Sequence, residues 1–452
     1  MLRLHDTATG TVRPLEVREP GVVSMYVCGP TVYDVPHLGH GRFVLVFDVL
    51  RRYLTWSGYR VHHVSNITDV DDKIIDRANR EGRTEAEVAA EYEAVWYEAI
   101  DALGVRRPDA DPHATAYVER MVELIGELMD AGVAYRTSDG VYLDVGRVES
   151  YGLLARQTLE SLQAGARVDV DDQKRSGHDF ALWKAAKAGE PTWPSPWGGG
   201  RPGWHTECVV MSLDLLGEGF DVHGGGQDLA FPHHENERAQ AVALGRTFAR
   251  HWVHNGWVVV GGEKMSKSLG NFTSLTDLLE RVDGRAYRLL VLRSHYRSPL
   301  EVTPATTADA TAALERLDNL ARRAGEEALV DVEPDPAALD RFRAAMDDDL
   351  DTPAAMAMLF DLVRAANSAL DAGDHAAAAR SVATVREMAS AVGLALRTDA
   401  AALDHDVAAL VAARDQARAA KDWPAADAAR EALVARGWVV EDTPVGTRIR
   451  RR

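Results

Sequence analysis

A strand, helix and strand near the start of the chain restrict the fold more than any other feature of the sequence. Residues 22–28 form a largely apolar segment that ends at Gly29-Pro30. Residues 38–56 have apolar side chains at helical spacing on most faces, and residues 60–66 return to a strand pattern. Two strands joined by one helix at this spacing predict a parallel βαβ unit. The chain is therefore expected to form a doubly wound, Rossmann-like parallel sheet of the α/β class.

The remaining sequence predicts further domains within and after this sheet. Strand patterns resume at residues 220–223 and 257–260, so we interpret the intervening residues 116–200 as an insertion. Beyond about residue 304, helical spacing in Ala-, Arg- and Glu-rich segments predicts an antiparallel α-helical bundle. The predicted divisions are the first half of the sheet domain (1–115), the insertion (116–200), the second half of the sheet domain (201–260), a lysine-loop region (261–304), the helical bundle (305–395) and a small C-terminal domain (396–452).

Length and charge limit the classes of function. A chain of 452 residues with 46% hydrophobic residues can bury several cores without disulfide or metal staples. Its net charge of -18 argues against nonspecific nucleic-acid affinity through a global positive field, so any RNA contact is expected to be local. The arginines at 448 and 450–452 are one candidate, although they also fit a solvated terminus. No apolar run reaches about 20 residues and the start lacks an export pattern, so we expect no membrane contact and a cytoplasmic location.

The first candidate for chemistry is the motif His37-Leu38-Gly39-His40, which lies between the first predicted strand and the first helix. A helix N-terminus presents unpaired amides to phosphate oxygens, and glycine allows a nucleotide to approach the backbone. The motif therefore predicts a phosphate site that includes His37, Gly39 and His40. Two histidines that only cap an ordinary helix are the alternative.

Two further segments suit a nucleotide. The motif Lys264-Met265-Ser266-Lys267-Ser268 follows a glycine pair, and its lysines suit a clamp that neutralises charge as pyrophosphate leaves. An ordinary surface loop is the alternative. Gly224 and Gly226 fit a close backbone approach to adenosine, with Asp228 on the ribose hydroxyls. A tight loop without a ligand is the alternative there.

A metal site is suggested by four residues from distant parts of the chain. Cys28 and Cys208 are the two cysteines, and the spacing of His233 and Glu237 places both on one face of a helix that begins near Pro232. Two sulfurs, one imidazole nitrogen and one carboxylate oxygen suit tetrahedral zinc. Spacing alone leaves open whether the cysteines meet. A disulfide, or two buried thiols beside an exposed helix, are the alternatives.

The histidine and lysine motifs together resemble those of the class I aminoacyl-tRNA synthetases. Seven further segments narrow the resemblance: Cys28-Gly-Pro-Thr-Val-Tyr-Asp, Asn66-Ile-Thr-Asp-Val-Asp-Asp-Lys, Gly203-Trp-His-Thr-Glu-Cys208, His223-Gly-Gly-Gly, Phe231-Pro-His-His-Glu-Asn-Glu237, Lys421-Asp-Trp-Pro-Ala-Ala-Asp and Asp442-Thr-Pro-Val-Gly. Through these segments the chain is similar, nearly from end to end, to the cysteinyl-tRNA synthetase family.

The resemblance implies a reaction and a set of site residues. The reaction is ATP-dependent activation of L-cysteine to cysteinyl-adenylate, followed by transfer of cysteine to tRNA(Cys). Magnesium would accompany ATP, and one zinc per chain would be completed by the substrate's thiolate. The implied zinc ligands are Cys28, Cys208, His233 and Glu237. The implied catalytic residues are His37, His40, Lys264 and Lys267, with most of the transition-state stabilisation assigned to Lys267. The implied amino-acid contacts are Thr68, Trp204 and His205.

The resemblance also bears on accuracy and on tRNA binding. Apolar packing separates near-isosteres such as cysteine and serine by only about 10- to 200-fold, whereas a metal binds a thiolate far better than a hydroxyl. We therefore expect accuracy without an editing domain. We also expect the protein to act as a monomer. In the family the bundle and the C-terminal domain reach the anticodon. Trp423 and Trp438 are candidates for stacking on bases, although we expect Trp438 to be a core residue.

Three other functions fit parts of the sequence. A cysteine ligase of the mycothiol pathway is similar through the sheet domain but passes cysteine to an amino sugar and lacks the full C-terminal tail. A zinc hydrolase would use the histidine-rich helix but leaves the lysine loop unexplained. A noncatalytic RNA-binding module would not require the catalytic positions, all of which are filled.

Overall fold

The computed structural model describes residues 1–158, 161, 173–260, 263–264, 273–398, 405–443 and 446–451. They form two compact units, the first comprising residues 1–316 and 331–395 and the second residues 317–330 and 396–452. The strands are β1 (Arg3–Asp6), β2 (Thr11–Pro14), β3 (Val22–Val27), β4 (Arg60–Val64), β5 (Ala134–Arg136), β6 (Gly140–Leu143), β7 (Phe180–Ala185), β8 (Gly200–Pro202), β9 (Val222–Gly226), β10 (His251–Asn255), β11 (Val258–Val260), β12 (Glu263–Lys264), β13 (Leu300–Glu301), β14 (Trp438–Thr443) and β15 (Gly446–Arg451). The helices are α1 (Leu38–Trp56), α2 (Asp72–Glu81), α3 (Glu85–Ala102), α4 (Val118–Asp130), α5 (Trp204–Leu216), α6 (Glu235–Ala243), α7 (Leu275–Leu279), α8 (Gly284–Leu292), α9 (Pro304–Glu326), α10 (Pro336–Asp347), α11 (Thr352–Asp371), α12 (His375–Ala391), α13 (His405–Ala419) and α14 (Trp423–Ala435).

A four-stranded parallel sheet in the order β10-β9-β3-β4 forms the centre of the first unit. The predicted βαβ unit is confirmed, because β3 and β4 pair in parallel and are joined by α1. The chain adds β4 on one side of β3 and later adds β9 on the other. The boundary between β3 and β9 is therefore the topological switch point, where ligands of open α/β sheets bind outside the carboxyl ends of the strands.

A second sheet of this unit is antiparallel and has the order β5-β6-β7-β8. Its last two strands, β7 and β8, lie in a segment that is rich in Gly, Pro and Trp and has no clear periodicity. Short strands such as Gly200–Pro202 carry too few residues for a period of two to be recognised. Strand β8 is defined by its antiparallel pairing with β7.

Helix α1 is buried over much of its circumference and contains two charged residues that its apolar pattern did not emphasise. Asp48 is 2% exposed and accepts hydrogen bonds from Arg288 of α8 at 2.6 Å and from Arg52 at 2.8 Å. Arg42 is 1% exposed and donates to the carbonyl oxygens of Trp257 (2.7 Å) and Tyr296 (3.1 Å). The Asp48–Arg288 ion pair and the hydrogen bonds of Arg42 join helix α1, which begins at the histidine motif, to segments more than two hundred residues later in the chain.

The helical structure predicted beyond about residue 304 is confirmed by helices α9 to α14. In the first unit, α10, α11 and α12 pack against one another, as predicted for a bundle. In the second unit, α13, α14 and the β14–β15 hairpin enclose a small core of Val407, Leu433 and Val440. Trp438 packs against this core, whereas Trp423 is 59% exposed. Among the described residues, no helix is long and apolar enough to cross a membrane.

Candidate active site

The proposed metal ligands meet at the carboxyl ends of β3 and β9. Cys28 directly follows β3, and its amide donates to the carbonyl oxygen of Gly224 in β9 at 3.2 Å. Cys208 comes from α5. His233 lies in the π-helical turn Ala230–His234, which contains a cis Phe231–Pro232 peptide bond, and Glu237 lies in the first turn of α6. The cluster is thus placed at the switch point of the sheet.

The donor atoms of this cluster fit a zinc ion. The distances are 3.6 Å from Cys28 Sγ to Cys208 Sγ, 3.4 Å from Cys28 Sγ to Glu237 Oε1 and 3.7 Å from Cys208 Sγ to His233 Nε2. His233 Nε2 lies 3.0 Å from Glu237 Oε1, and all four donors lie within 4.8 Å of one another. A tetrahedral zinc with ordinary bond lengths separates two sulfurs by about 3.8 Å and two N or O ligands by about 3.3 Å. The four side chains are therefore spaced for one such ion.

Two of the alternatives considered from the sequence, an exposed helix and a disulfide, do not agree with the structure. Each of the four side chains is at most 4% exposed, so the helix that carries His233 and Glu237 is not an exposed one. Both cysteines are free thiols. Burial, together with the neighbouring Cys208 and Glu237, raises the pKa of the Cys28 thiol well above its ordinary value. Burial lowers the pKa of His233 well below its ordinary value. A metal that binds here therefore displaces thiol protons but finds a neutral imidazole.

Histidines and one tryptophan support the cluster from outside. His223 Nε2 lies 2.7 Å from Glu237 Oε2, on the carboxylate oxygen that faces away from His233. His205 Nδ1 lies 2.9 Å from His233 Nδ1, and the Trp204 ring stacks on the His233 ring at 3.9 Å. Such contacts hold metal ligands in orientation. A second donor set, Cys28, His223, His234 and Glu237, is equally close and shares two residues with the first.

A row of hydrogen-bonded side chains, which joins His234 through His254 to Thr7, was not predicted from the sequence. His234 Nδ1 lies 2.8 Å from His254 Nε2, whose other ring nitrogen lies 2.6 Å from Thr7 Oγ1. Burial lowers the pKa of His254 to about 3. These imidazoles are therefore neutral and fixed in place. Thr7 lies at the N-terminal hairpin, so no local sequence pattern connects it with the histidine-rich turn.

The loop after β4 places the polar side chains of Asn66 and Thr68 beside the proposed metal ligands. Asn66 Oδ1 accepts hydrogen bonds from the amide of Gly29 at 2.9 Å and from the hydroxyl of Tyr26 at 3.1 Å. Asn66 Nδ2 donates to Thr68 Oγ1 at 3.2 Å, and that hydroxyl donates to Glu207 Oε2 at 2.8 Å. A side chain at position 29 would approach the carbonyl oxygen of Asn66 to 1.6 Å, so glycine is required there. Asn66 and Glu207 are polar site residues that the sequence did not single out.

The histidine motif forms the predicted start of α1. His37 Nδ1 accepts a hydrogen bond from the amide of His40, and His40 Nδ1 accepts one from the amide of His37, both at 3.2 Å. The two rings stack with centroids 3.7 Å apart. The capping role considered as an alternative is thus present in this structure, while the phosphate role of His37, Gly39 and His40 stays a prediction.

The structure describes most of the other residues that were predicted to bind the nucleotide. A side chain at Gly224 would lie 2.3 Å from the Phe47 ring, so packing against α1 already requires glycine at that position. Asp228 is exposed on the loop after β9. The backbone of Lys264 lies in β12, opposite Val259. Lys267 lies outside the described residues.

Comparison with known proteins decides the family. The model of the family described as tRNA synthetases class I (C) catalytic domain matches residues 14–312. The DALR domain matches residues 341–397, and the cysteinyl-tRNA ligase anticodon binding domain matches residues 400–450. A cysteine–tRNA ligase of Halorhodospira halophila is 48% identical over 100% of both chains. The chain belongs to the cysteinyl-tRNA ligase family. A cysteine–tRNA ligase of Shigella sonnei is 46% identical, also over 100% of both chains.

Solved structures of other class I synthetases share the fold of this family member. The Mycobacterium tuberculosis methionyl-tRNA synthetase in complex with methionyl-adenylate matches with a TM-score of 0.60 and 16% identity, over 82% of this chain and 89% of that one. A ternary complex of an Agrobacterium radiobacter LeuRS with tRNA and LeuAMS matches with a TM-score of 0.64 and 12% identity, over 84% and 85%. The predicted Rossmann-like sheet with helical C-terminal regions is thereby confirmed.

Proposed function

We propose that this chain activates L-cysteine with ATP and transfers the cysteinyl group to tRNA(Cys), and that a zinc ion reads the sulfur of the substrate. The observation that supports the zinc assignment most directly is the convergence of Cys28, Cys208, His233 and Glu237 within 4.8 Å in a buried site. The full-length relatives, which bear the name cysteine–tRNA ligase, support the reaction.

The two cysteine ligands explain how this chain selects a thiol. Serine has nearly the same shape as cysteine, and packing separates such pairs by only about 10- to 200-fold. Sulfur-rich ligand sets favour soft metals that bind thiolate in preference to hydroxyl. Zinc held by these four residues would supply a Lewis acid for the substrate's thiolate. The stacked Trp204 and the bond from His205 to His233 keep the imidazole ligand fixed beside the substrate.

Adenylate formation is assigned to the start of α1 and to the lysine loop. The substrate carboxylate attacks the α-phosphorus of magnesium-bound ATP, the new bond is a mixed anhydride, and pyrophosphate leaves. The amides at the start of α1 and the His37 and His40 rings bind phosphate oxygens. Lys264 and Lys267 neutralise the departing pyrophosphate. Gly224, Gly226 and Asp228 contact the adenosine.

The proposed amino-acid contacts lie beside the sulfur site. Thr68 is within one hydrogen bond of Asn66, whose Oδ1 lies 3.7 Å from Cys208 Sγ. Trp204 is half-buried and covers His233. A substrate held by its sulfur among the four ligands therefore extends its backbone groups toward Thr68 and Trp204. For tRNA, the match of residues 400–450 to an anticodon binding domain supports recognition by the C-terminal region, with exposed Trp423 as a stacking residue.

Charging of tRNA tests the proposal directly. The purified full-length protein is incubated with ATP, magnesium, labelled cysteine and total tRNA, and acid-precipitable label is measured. We expect charging that falls when a zinc chelator is added and returns when zinc is restored. Charging that is unaffected by removal of zinc contradicts the metal assignment. Pyrophosphate exchange with cysteine but without charging would instead indicate the amino-sugar ligase, which the match to the C-terminal domain disfavours.

Replacing His40 tests the phosphate role separately from the capping role. The His40→Ala variant is expected to lower kcat/KM for ATP in pyrophosphate exchange by about 10- to 100-fold, because a charge-assisted contact to phosphate is lost. The matched variant His40→Glu can still accept a hydrogen bond from the His37 amide, as in a capping box, but its carboxylate cannot donate to phosphate. If His40→Glu recovers full activity, His40 acts only as a cap. The KM for cysteine serves as a control and should stay unchanged in both variants.

A further inference from the structure

His63 is a buried histidine whose ring has no hydrogen-bond partner among the described residues. It lies in β4 and is 8% exposed, and both of its ring nitrogens are buried. Its main chain is well bound, because its amide donates to the Asp109 carboxylate at 2.8 Å and its carbonyl oxygen accepts from the Asp109 amide at 2.7 Å. A buried polar group without a partner costs free energy, so the unpaired ring requires an explanation.

His63 lines a cavity of about 40 Å³ between β4, α1 and α3. Most of the lining is apolar, and large side chains come from Phe43 and Phe47 of α1 and from Trp96 and Ile100 of α3. One water needs roughly 10–15 Å³ of such space. The cavity therefore has room for a single-ring molecule or for a few waters.

This cavity is separate from the proposed metal cluster. Its lining includes Val27 at the end of β3 but none of the four proposed metal ligands. The preceding residue, Tyr26, bonds to Asn66 beside those ligands. Successive side chains of a strand point to opposite faces of the sheet. The cavity therefore lies on the face that α1 covers, whereas Tyr26 extends to the other face, where the metal ligands are.

The ring of His63 can offer a ligand both kinds of hydrogen bond. Burial, together with the nearby Arg51, lowers the pKa of His63 to about 3. The imidazole is therefore neutral at ordinary pH, with one nitrogen that donates and one that accepts. Ser65, two residues later, adds a hydroxyl to the lining. The carboxylate in the lining belongs to Asp48 and is already bound by Arg288.

We propose that this cavity is a second ligand site, which takes an uncharged single-ring molecule with a hydroxyl group. The ring of the ligand packs among Phe43, Phe47 and Trp96, where aromatic contacts add to the burial of apolar surface. Its hydroxyl bonds to His63, because a hydroxyl both donates and accepts, as a neutral imidazole does. The site is distinct from those assigned to cysteine, ATP and tRNA, so it does not depend on the proposed function.

Phenol and benzene distinguish this site from an ordinary apolar void. The two molecules have nearly the same shape, but only phenol can bond to His63. A void without polar groups prefers benzene, because phenol has to give up its hydrogen bonds to water. For the full-length wild-type protein we expect phenol to bind about 2- to 10-fold more tightly than benzene. Ligand-detected NMR measures both dissociation constants.

Three variants locate the binding. His63→Leu keeps a similar side-chain volume but removes both ring nitrogens, so benzene should bind to it at least as tightly as phenol. His62→Leu, at the exposed neighbouring histidine, is the matched control and should leave both dissociation constants unchanged. If His63→Leu does not fold, Val105→Phe is used in its place. That variant fills the cavity from a half-buried position in its lining and should abolish binding of both ligands.

The inference is overturned if neither ligand binds the wild-type protein, because waters alone would then satisfy His63. It is also overturned if benzene binds the wild-type protein as tightly as phenol does, or if His63→Leu retains the preference for phenol. Binding that persists in Val105→Phe would place the ligands elsewhere on the protein and would overturn it as well.

Discussion

The Cys208→Ala variant is expected to lose both zinc and the ability to select cysteine. Cys208 supplies one of two sulfur donors, with its Sγ 3.6 Å from that of Cys28 and 3.7 Å from His233 Nε2. A metal contributes several kcal/mol where it binds a reacting or recognised group, and about 1.4 kcal/mol corresponds to a factor of ten. We expect kcat/KM for cysteine in pyrophosphate exchange to fall by about 10³-fold or more.

The more diagnostic quantity is the preference for cysteine over serine. Without the metal, only packing separates the two amino acids, so the preference should fall to about 10- to 200-fold. Bound zinc is measured by atomic emission in the same samples. Ser212→Ala is a matched control in α5, because Ser212 is buried and, within the described part of the chain, its hydroxyl donates only to the carbonyl oxygen of Val209. A Cys208→Ala variant that retains zinc, or that discriminates as wild type does, contradicts the assigned site.

The Asp48→Ala variant is expected to lower the free energy of unfolding by about 3 to 5 kcal/mol, because it leaves Arg288 buried without its counter-charge. The two side chains are each 1% exposed and lie 2.6 Å apart. Urea denaturation followed by tryptophan fluorescence measures the loss. The exposed pair Asp361–Arg364 provides the matched control, since its side chains are 66% and 72% exposed. Asp361→Ala should cost less than about 1 kcal/mol.

The contribution of Asp48 should also depend on pH. Burial alone would raise the pKa of Asp48, but the Arg288 and Arg52 guanidinium groups lower it below its ordinary value. A carboxyl with a lowered pKa stabilises the fold above its unfolded-state pKa, and the stabilisation is lost as the pH falls through the folded-state value. The difference between wild type and Asp48→Ala should therefore be full at neutral pH and shrink below about pH 4. A difference that is independent of pH would show that lost packing, not lost charge, causes the effect.

The sequence predicted those elements in which buried apolar residues recur at a regular spacing along the chain. Helix α1 begins and ends where its apolar spacing indicated, and helices α9 to α14 lie in the region where the spacing predicted helices. Segments without such repetition were not predicted. Strands β7 and β8 exist because they pair with each other in an antiparallel sheet. Helix α5 begins within the segment Gly203-Trp-His-Thr-Glu-Cys208, which carries the family resemblance but has no periodicity that predicts a helix.

The sequence by itself determined the types of ligand available for a metal and the one helical turn that joins His233 to Glu237. It also placed the histidine motif at a strand-to-helix turn. Only the tertiary structure decided that Cys28 meets Cys208, that Glu207 meets Thr68 and that Asp48 meets Arg288. Each of these pairs joins residues far apart in the chain, and their approach depends on the order of strands in the sheet. Periodicity reports which face of one element is buried, whereas partners across the core are chosen when separate elements pack together.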